Sequence, residues 1–476
     1  MHSQYISTRG QSPALPFSQA RWSALIARTP STAYADIAAD LFSLYSFGPQ
    51  SAFRSIHVAP LHDVRDHTSP NKPLVHILEL FHGPTLAFKD VALQFLGYLF
   101  EYLLARQPEG KQEVTVVGAT SGDTGSAAIA GLRGKAGIRV CILHPHGKVS
   151  PVQAAQMTSV LDANVCNVAL DGDCTFDDCQ DVVKAMFNDP SMRAEFQLAA
   201  VNSINFARIL AQVSYYVYSY LQLEAQFGRH AVEAKVVYSQ MGLPIGKLIV
   251  ATNENDILYR FMQSGIYSPD PNWQPGMPAD TSFQAHPTLS PAMDITVASN
   301  FERVLYDWVQ DATQVKAWMD QVKTRGGFKV PDSVLHKART ALWSHHVRDS
   351  EIVDTIADYY ARSKYVLDPH TAVGVRSADE YRAHHVVAGP MVCLATAHPG
   401  KFLDAVCTAL ARSFPQGTSA EVKALETLPR RLVKLQRDNN GAKPGKEQVA
   451  KVLRMQWPVG EVVVGQKLVP ANCDLV

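Results

Sequence analysis

Net charge is the first thing this sequence lacks: 44 Lys and Arg are balanced by 44 Asp and Glu in 476 residues. A balanced chain carries no electrostatic footprint for a polyanion, so neither nucleic acid nor an anionic membrane surface is an expected partner. Long apolar runs are missing too. Although 46% of the residues are hydrophobic, no stretch approaches the roughly 18–20 consecutive apolar residues of a membrane span. Cysteines are few. The seven (Cys141, Cys166, Cys174, Cys179, Cys393, Cys407 and Cys473) are odd in number and lack Cys-x-x-Cys spacing, which indicates neither a disulfide framework nor a zinc site and favours a reducing compartment. His144 and His146 have no acidic ligands at metal-binding spacing, so no metal site is expected. Residues 1–21 have no apolar core of the secretory kind, and the expected location is cytoplasmic. What these absences leave is a chain long enough for two or three domains, working on a small-molecule substrate.

Residues 1–71 carry helix-like patterns at 19–27 and 33–45, then a polar, proline-containing stretch at 63–72, and are expected to form a small helical domain with a linker. From residue 74 onward, β-branched runs at 74–80, 114–117, 140–143, 165–170 and 248–251 alternate with amphipathic stretches at 90–104, 123–132, 150–157, 174–187 and 203–223. That alternation predicts α/β architecture, with parallel sheets covered by helices over 72–410. The helix over 203–223 is expected to be capped by Asn202 or Ser203. Residues 269–291, rich in Pro, Ser and Gln, read as a long irregular connection. Residues 411–476, with Lys, Arg and Glu among leucines at helical spacing over 420–453, read as a solvated helical appendage.

Two motifs carry chemistry. In Leu80-Phe81-His82-Gly83-Pro84-Thr85-Leu86-Ala87-Phe88-Lys89-Asp90 a lysine stands in an aromatic, small-residue turn just before a helix. Desolvation there disfavours the ammonium form and prepares the amine to attack an aldehyde, as a pyridoxal phosphate Schiff base requires. Farther on, Val117-Gly118-Ala119-Thr120-Ser121-Gly122-Asp123-Thr124-Gly125-Ser126 ends a strand in a Gly/Ser/Thr loop that opens a helix, an arrangement that offers hydroxyls and N–H groups to an anion. His82 is taken as structural.

With these motifs the chain resembles the threonine synthase family, in its fungal and bacterial branch, among the tryptophan-synthase-β-like (fold type II) pyridoxal phosphate enzymes. The resemblance continues in order through Val201-Asn202-Ser203-Ile204-Asn205-Phe206-Ala207-Arg208, Ala251-Thr252-Asn253-Glu254-Asn255-Asp256, Leu289-Ser290-Pro291-Ala292-Met293-Asp294, Leu367-Asp368-Pro369-His370-Thr371-Ala372-Val373-Gly374 and Ala395-Thr396-Ala397-His398-Pro399-Gly400-Lys401-Phe402. It implies fold type II: two α/β domains with the cofactor in the cleft, behind a helical N-terminal domain. The implied reaction is conversion of O-phospho-L-homoserine and water to L-threonine and phosphate. Lys89 is implied as the catalytic and cofactor lysine, Thr396 as the partner of the cofactor's pyridine nitrogen, and Ser121 and Thr124 as donors to the substrate carboxylate. Asn205 and Arg208, one helical turn apart, suit either the substrate phosphate or a structural ion pair. Asp123 is expected to cap the following helix or orient a hydroxyl, and 367–374 to form a tight connection in the site wall. Oligomeric state stays open.

The chain departs from the family at 227–240. There the family has a strand ending in a Gly-Asn-Phe-Gly-Asp loop around the cofactor phosphate, and this chain has Phe227-Gly228-Arg229-His230-Ala231-Val232-Glu233 with no paired glycines following. The family's Asp-Gly-Gly-Leu turn likewise has no counterpart at 26–33. These gaps imply weakened cofactor binding and supply the alternative reading, a catalytically impaired homologue or an incomplete gene model.

Overall fold

The computed structural model describes residues 58–464 apart from 68, 111, 202–204, 228–236, 239–243, 281–282, 299, 388, 411–423, 426, 439–440 and 456–460. The helical patterns at 19–27 and 33–45, the cap at Asn202 or Ser203 and most of the divergent 227–240 stretch lie outside the described residues. The chain divides between Ile56 and His57, and everything below belongs to the second unit.

That unit opens on a hairpin, β1 (Leu61–Asp66) and β2 (Ser69–Glu79). The stretch at 63–72 expected as a linker is therefore mostly strand. Val64 is buried opposite Val75 while Arg65 is exposed, the alternation of a half-buried pair, and Pro73 faces Arg65 where the register slips, a position that asks no ladder N–H of it.

The expected α/β alternation follows: α1 (Lys89–Leu104), β3 (Val114–Ala119), α2 (Asp123–Leu132), β4 (Ile138–Pro145), α3 (Pro151–Thr158) and β5 (Val165–Leu170). Next come α4 (Phe176–Asn188), α5 (Pro190–Phe196), β6 (Leu198–Ala199) and α6 (Phe206–Phe227). Strands β6, β3, β4 and β5 pair in parallel, and every residue of β5 is buried, as a strand covered on both faces must be. Local chemistry starts the helices: Ser150 accepts the Gln153 N–H at 3.3 Å with Pro151 in the first turn of α3, and Thr175 and Asp178 form a capping box on α4.

A short pair, β7 (Val237–Tyr238) and β8 (Pro244–Ile245), precedes β9 (Leu248–Thr252). A lobe follows, made of α7 (Ile257–Ser264), β10 (Ile266–Tyr267), α8 (Phe301–Val309), α9 (Ala312–Arg325), β11 (Phe328–Lys329) and α10 (Asp332–Ala341). Its core is aromatic, with Tyr267 stacked on Phe301 at 5.1 Å and Trp318 on Phe328 at 5.5 Å. The connection leaving β10 is irregular apart from a single 3₁₀ turn at Pro291–Met293, and the Trp273 indole N–H pins it to Arg325 O at 2.7 Å. Then come β12 (Leu342–His346), parallel to β9, α11 (Asp349–Ser363), α12 (Pro369–His384), β13 (Val392–Ala395), parallel to β2, and α13 (Leu403–Leu410).

The tail differs from its expected form. It supplies β14 (Pro429–Leu435), α14 (Lys446–Arg454) and β15 (Glu461–Val464), completing a six-stranded sheet in the order β15-β14-β5-β4-β3-β6. The charges that suggested a solvated helix are in part internal: the buried Arg431 guanidinium donates to the carbonyls of Leu161, Asp162 and Val165 at 3.2, 2.9 and 3.1 Å. Val449, Ala450, Val452 and Leu453 of α14 are buried with Cys179, Val182 and Met186 of α4. Among the described cysteines Cys141, Cys166, Cys174, Cys179 and Cys393 are buried thiols, whereas Cys407 is disulfide-bonded. With five of the seven cysteines free, at most one pair can form, so, apart from Cys407, the expected absence of a disulfide framework stands. No described helix is long and apolar enough to cross a membrane.

Candidate active site

Strands β2 and β13 are parallel neighbours with Glu79 opposite Ala395, so the chain leaves both in the same direction and side by side. The pairing continues past the strands: Leu80 N donates to Ala395 O at 3.0 Å, Phe88 N to Thr396 O at 2.8 Å and His398 N to Leu86 O at 3.0 Å. The two motifs farthest apart in sequence are thus stitched together backbone to backbone.

The Lys89 turn is shaped by Asp90. Its buried carboxylate accepts the Thr85 N–H at 2.8 Å and the Thr85 hydroxyl at 2.6 Å, and a Cβ on Gly83 would lie 2.3 Å from Asp90 Cβ. Burial raises the Asp90 pKa. Lys89 is thereby delivered at the first residue of α1, its ammonium 4.6 Å from the Phe88 ring centroid.

The second loop leaves β3. The Thr120 hydroxyl accepts the N–H groups of Gly122 and Gly125, each at 2.9 Å, and Gly122 has φ 136° with Gln153 Oε1 only 2.0 Å from where a Cβ would stand. Glycine is required there for its backbone and its bulk alike. Asp123 follows, and its role differs from the expected cap: Oδ2 takes Lys89 Nζ at 3.2 Å, and Oδ1 takes Lys401 Nζ at 2.6 Å and Gln153 Nε2 at 2.8 Å. Burial opposes the carboxylate's charge, but Lys401 and then Lys89 outweigh it and hold the pKa well below the ordinary range. The Lys89 amine is itself pushed down, first by burial, with the charges of Lys401 and Arg208 acting the same way.

Sequence reasoning gave Lys401 no role, although it lies in a quoted motif and is fully buried. The signal was available: between Ala395 and Phe402 it is the single residue with a permanent charge, as Lys89 is between Leu80 and Phe88 and its own position.

Arg208, on the first turn of α6, is 4% exposed. Its Nη1 donates to Val201 O at 2.9 Å, its Nε has no hydrogen-bond partner among the described residues, and burial pushes its pKa down to about 10. A desolvated guanidinium with a spare N–H suits a bound anion. Asn205 beside it is otherwise engaged: Oδ1 accepts the Ala207 N–H at 3.0 Å and Nδ2 donates to Ala200 O at 3.2 Å, so its amide caps α6. In the β3 loop Ser121 is exposed and Thr124 half-buried; Thr396 is half-buried in its own loop.

The remaining motifs brace the site. Asn253 Nδ2 reaches Thr288 Oγ1 at 2.8 Å, Ser290 Oγ at 3.0 Å and Asp294 Oδ1 at 2.7 Å, joining the motifs after β9 and before α8. The 367–374 segment starts α12 instead of forming a tight turn, with Asp368 as its cap and Pro369 in the first turn. His370 Nδ1 lies 2.9 Å from Asp368 Oδ1, and its Nε2 accepts the Ala292 N–H at 3.1 Å. His82 Nε2 lies 2.7 Å from Glu79 Oε2, in a cluster completed by His62 and Tyr365.

Loops at the carboxyl ends of parallel strands thus bring together a desolvated lysine amine, a glycine-shaped helix N-terminus and a buried guanidinium with an unused donor. That donor set fits an anionic aldehyde cofactor, and residues 54–271 match the family described as "Pyridoxal-phosphate dependent enzyme". The fold and site define a fold type II pyridoxal phosphate enzyme. Residues 371–444 match "Threonine synthase, C-terminal". The chain is 45% identical over 426 residues to the threonine synthase of Saccharomyces cerevisiae, covering 81% of this chain and 79% of that one. The crystal structure of threonine synthase from yeast superposes with a TM-score of 0.74 at 41% identity, covering 88% of this chain and 84% of that one. A pyridoxal phosphate-bound threonine synthase from Brucella melitensis gives 0.72 at 36% identity, covering 92% and 91%. The chain belongs to the threonine synthase family.

Proposed function

We propose that this chain converts O-phospho-L-homoserine and water to L-threonine and phosphate at the cleft around Lys89, Asp123 and Arg208. Lys89 holds pyridoxal phosphate through its amine, and Thr396 meets the pyridine nitrogen with a neutral hydroxyl that does not keep it protonated. When bound, the cofactor supplies an electron sink for carbanions beside the substrate amine. The chain's residues supply the rest. Ser121 and Thr124 donate to the substrate carboxylate, and Arg208, on a helix capped by Asn205, holds the phosphate as it leaves Cγ. The Lys89 amine, when not holding the cofactor, moves protons between the substrate carbons, and Asp123 at 3.2 Å keeps it oriented. Water adds at Cβ and a proton returns to Cγ.

The observation that supports this reading best is the buried Nε of Arg208, without a hydrogen-bond partner among the described residues, on a group whose charge bears on Lys89: a reactive amine beside such a guanidinium suits a substrate that is both an amine and a phosphate. Similarity across most of the chain favours an active enzyme over a silent homologue. The test is to incubate the purified chain with excess pyridoxal phosphate and O-phosphohomoserine and to measure phosphate and threonine together. Equal amounts of both support the reading. Phosphate released with a keto acid in place of threonine would reassign the chain to an elimination reaction.

A further inference from the structure

A buried carboxylate that faced Lys89 alone would hold its amine protonated, which is the wrong state for attack on an aldehyde. The site avoids this by giving Asp123 two lysines. Lys401 is the nearer, at 2.6 Å against 3.2 Å, and occupies the other carboxylate oxygen. It is also the more tightly held. Its side chain is 0% exposed, its Nζ donates to Thr85 O at 3.0 Å, and Thr85 is itself fixed by both of its bonds to Asp90. Gln153 fills the same Asp123 oxygen at 2.8 Å. Lys89 keeps 12% of its side-chain surface open to the cleft.

We propose that Lys401 is a positioning residue: it is the standing counter-cation of Asp123, and by meeting that charge it leaves the Lys89 amine free to lose its proton and take up the cofactor. The groups that bear on Lys89 are Asp123 from α2, Lys401 from the loop after β13 and Arg208 from α6, and of these only Asp123 favours the ammonium. Asp90, the next residue of α1, faces Thr85 and feels Lys401. His370 of α12 bears on Asp123, and its Nε2 accepts the Ala292 N–H at 3.1 Å. Removing the Lys401 charge would leave Lys89 as the sole cation on Asp123 and shift the balance toward the ammonium.

The proposal rests on the reading of Lys89 as the cofactor lysine, but its test needs neither cofactor nor substrate, so the two can fail separately. The full chain is trace-acylated with acetic anhydride over a range of pH, and modification of the Lys89 peptide is followed by mass spectrometry with exposed Lys329 as internal reference. In the wild type the Lys89 midpoint falls below that of Lys329. Lys401→Met moves the Lys89 midpoint up by about a unit or more; Lys401→Arg, which keeps the charge, restores it. A purely space-filling role predicts no shift with Met in a folded chain, and that result overturns the proposal. If Lys401→Met does not fold, Lys401→Gln, which keeps a donor for Thr85 O, carries the same expected shift. A wild-type Lys89 that titrates together with Lys329 overturns the proposal without any variant.

Discussion

Arg208 is the residue whose surroundings ask most plainly for a ligand, since its guanidinium is 4% exposed, donates from Nη1 to Val201 O, and has no partner for Nε among the described residues. Arg208→Met is expected to raise KM for O-phosphohomoserine about 10- to 100-fold, the size of one charged hydrogen bond at roughly 1.5–3 kcal/mol. An unchanged KM would remove Arg208 from the site. Lys89→Ala is expected to abolish the near-visible absorbance of the bound cofactor while leaving the far-ultraviolet circular dichroism and Tm close to wild type, because one partly exposed side chain at a helix start is not part of the core; retained absorbance would point to another lysine. Glu79 gives a pH prediction. Burial opposes its charge, yet hydrogen bonds from His62, His82 and Tyr365 win and lower its pKa from 4.5 to about 2. A depressed carboxyl stabilises the fold fully above the unfolded value and loses that contribution as pH falls through the folded value, so the window is about pH 5 to 2 and the size about 3 kcal/mol. Urea melts of wild type and Glu79→Gln should diverge at pH 7 and converge toward pH 2; parallel curves would contradict this. What sequence exposed at this scale was chemistry carried by neighbours: Lys89 in its uncharged turn. What it hid was chemistry set by distant partners. Asp123 meets Lys401 only because β2 and β13 run side by side, and Asn205 caps α6 although its spacing from Arg208 suggested a shared ligand.

Helices and strands with strong local signals were readable. The β-branched run of β5 and the capped start of α4 need only their own residues, and the six-residue strand Val165–Leu170 coincides with its expected limits. The tail was not readable, because Leu and Val spaced among Arg and Lys serve equally for an amphipathic helix and for a strand, and only the carbonyls at Leu161, Asp162 and Val165 decide what Arg431 does. The difference is measurable. Leu453, 1% exposed beneath α4, should cost about 2–5 kcal/mol on substitution by alanine. A solvated appendage would show a change within about 0.5 kcal/mol, and denaturant melts separate the two. The missing glycine loop belongs to this scale as well. A phosphate dianion ordinarily needs several N–H donors, and losing three charged hydrogen bonds at about 1.5–3 kcal/mol each lowers affinity by several orders of magnitude. The chain is therefore expected to bind pyridoxal phosphate far more weakly than a relative that carries the loop, and titration followed by absorbance checks this; micromolar binding would mean that another segment holds the phosphate.

For the molecule as a whole, three segments far apart in sequence become one site because the loops leaving β2 and β13 of one sheet and β3 of another meet at Asp123, an arrangement that the α/β alternation alone did not reveal. The balance of charge in the full chain does not extend to that cleft, where Lys89 and Lys401 meet Asp123 and Arg208 bears on Lys89. This local excess of cations is what an anionic cofactor and a phosphorylated substrate require. The most direct measurement is borohydride reduction of the chain saturated with pyridoxal phosphate, followed by peptide mass analysis. The cofactor should be found fixed to Lys89 and to no other lysine; finding it on Lys401 or elsewhere, with Lys89 unmodified, would contradict the assignment of this cleft.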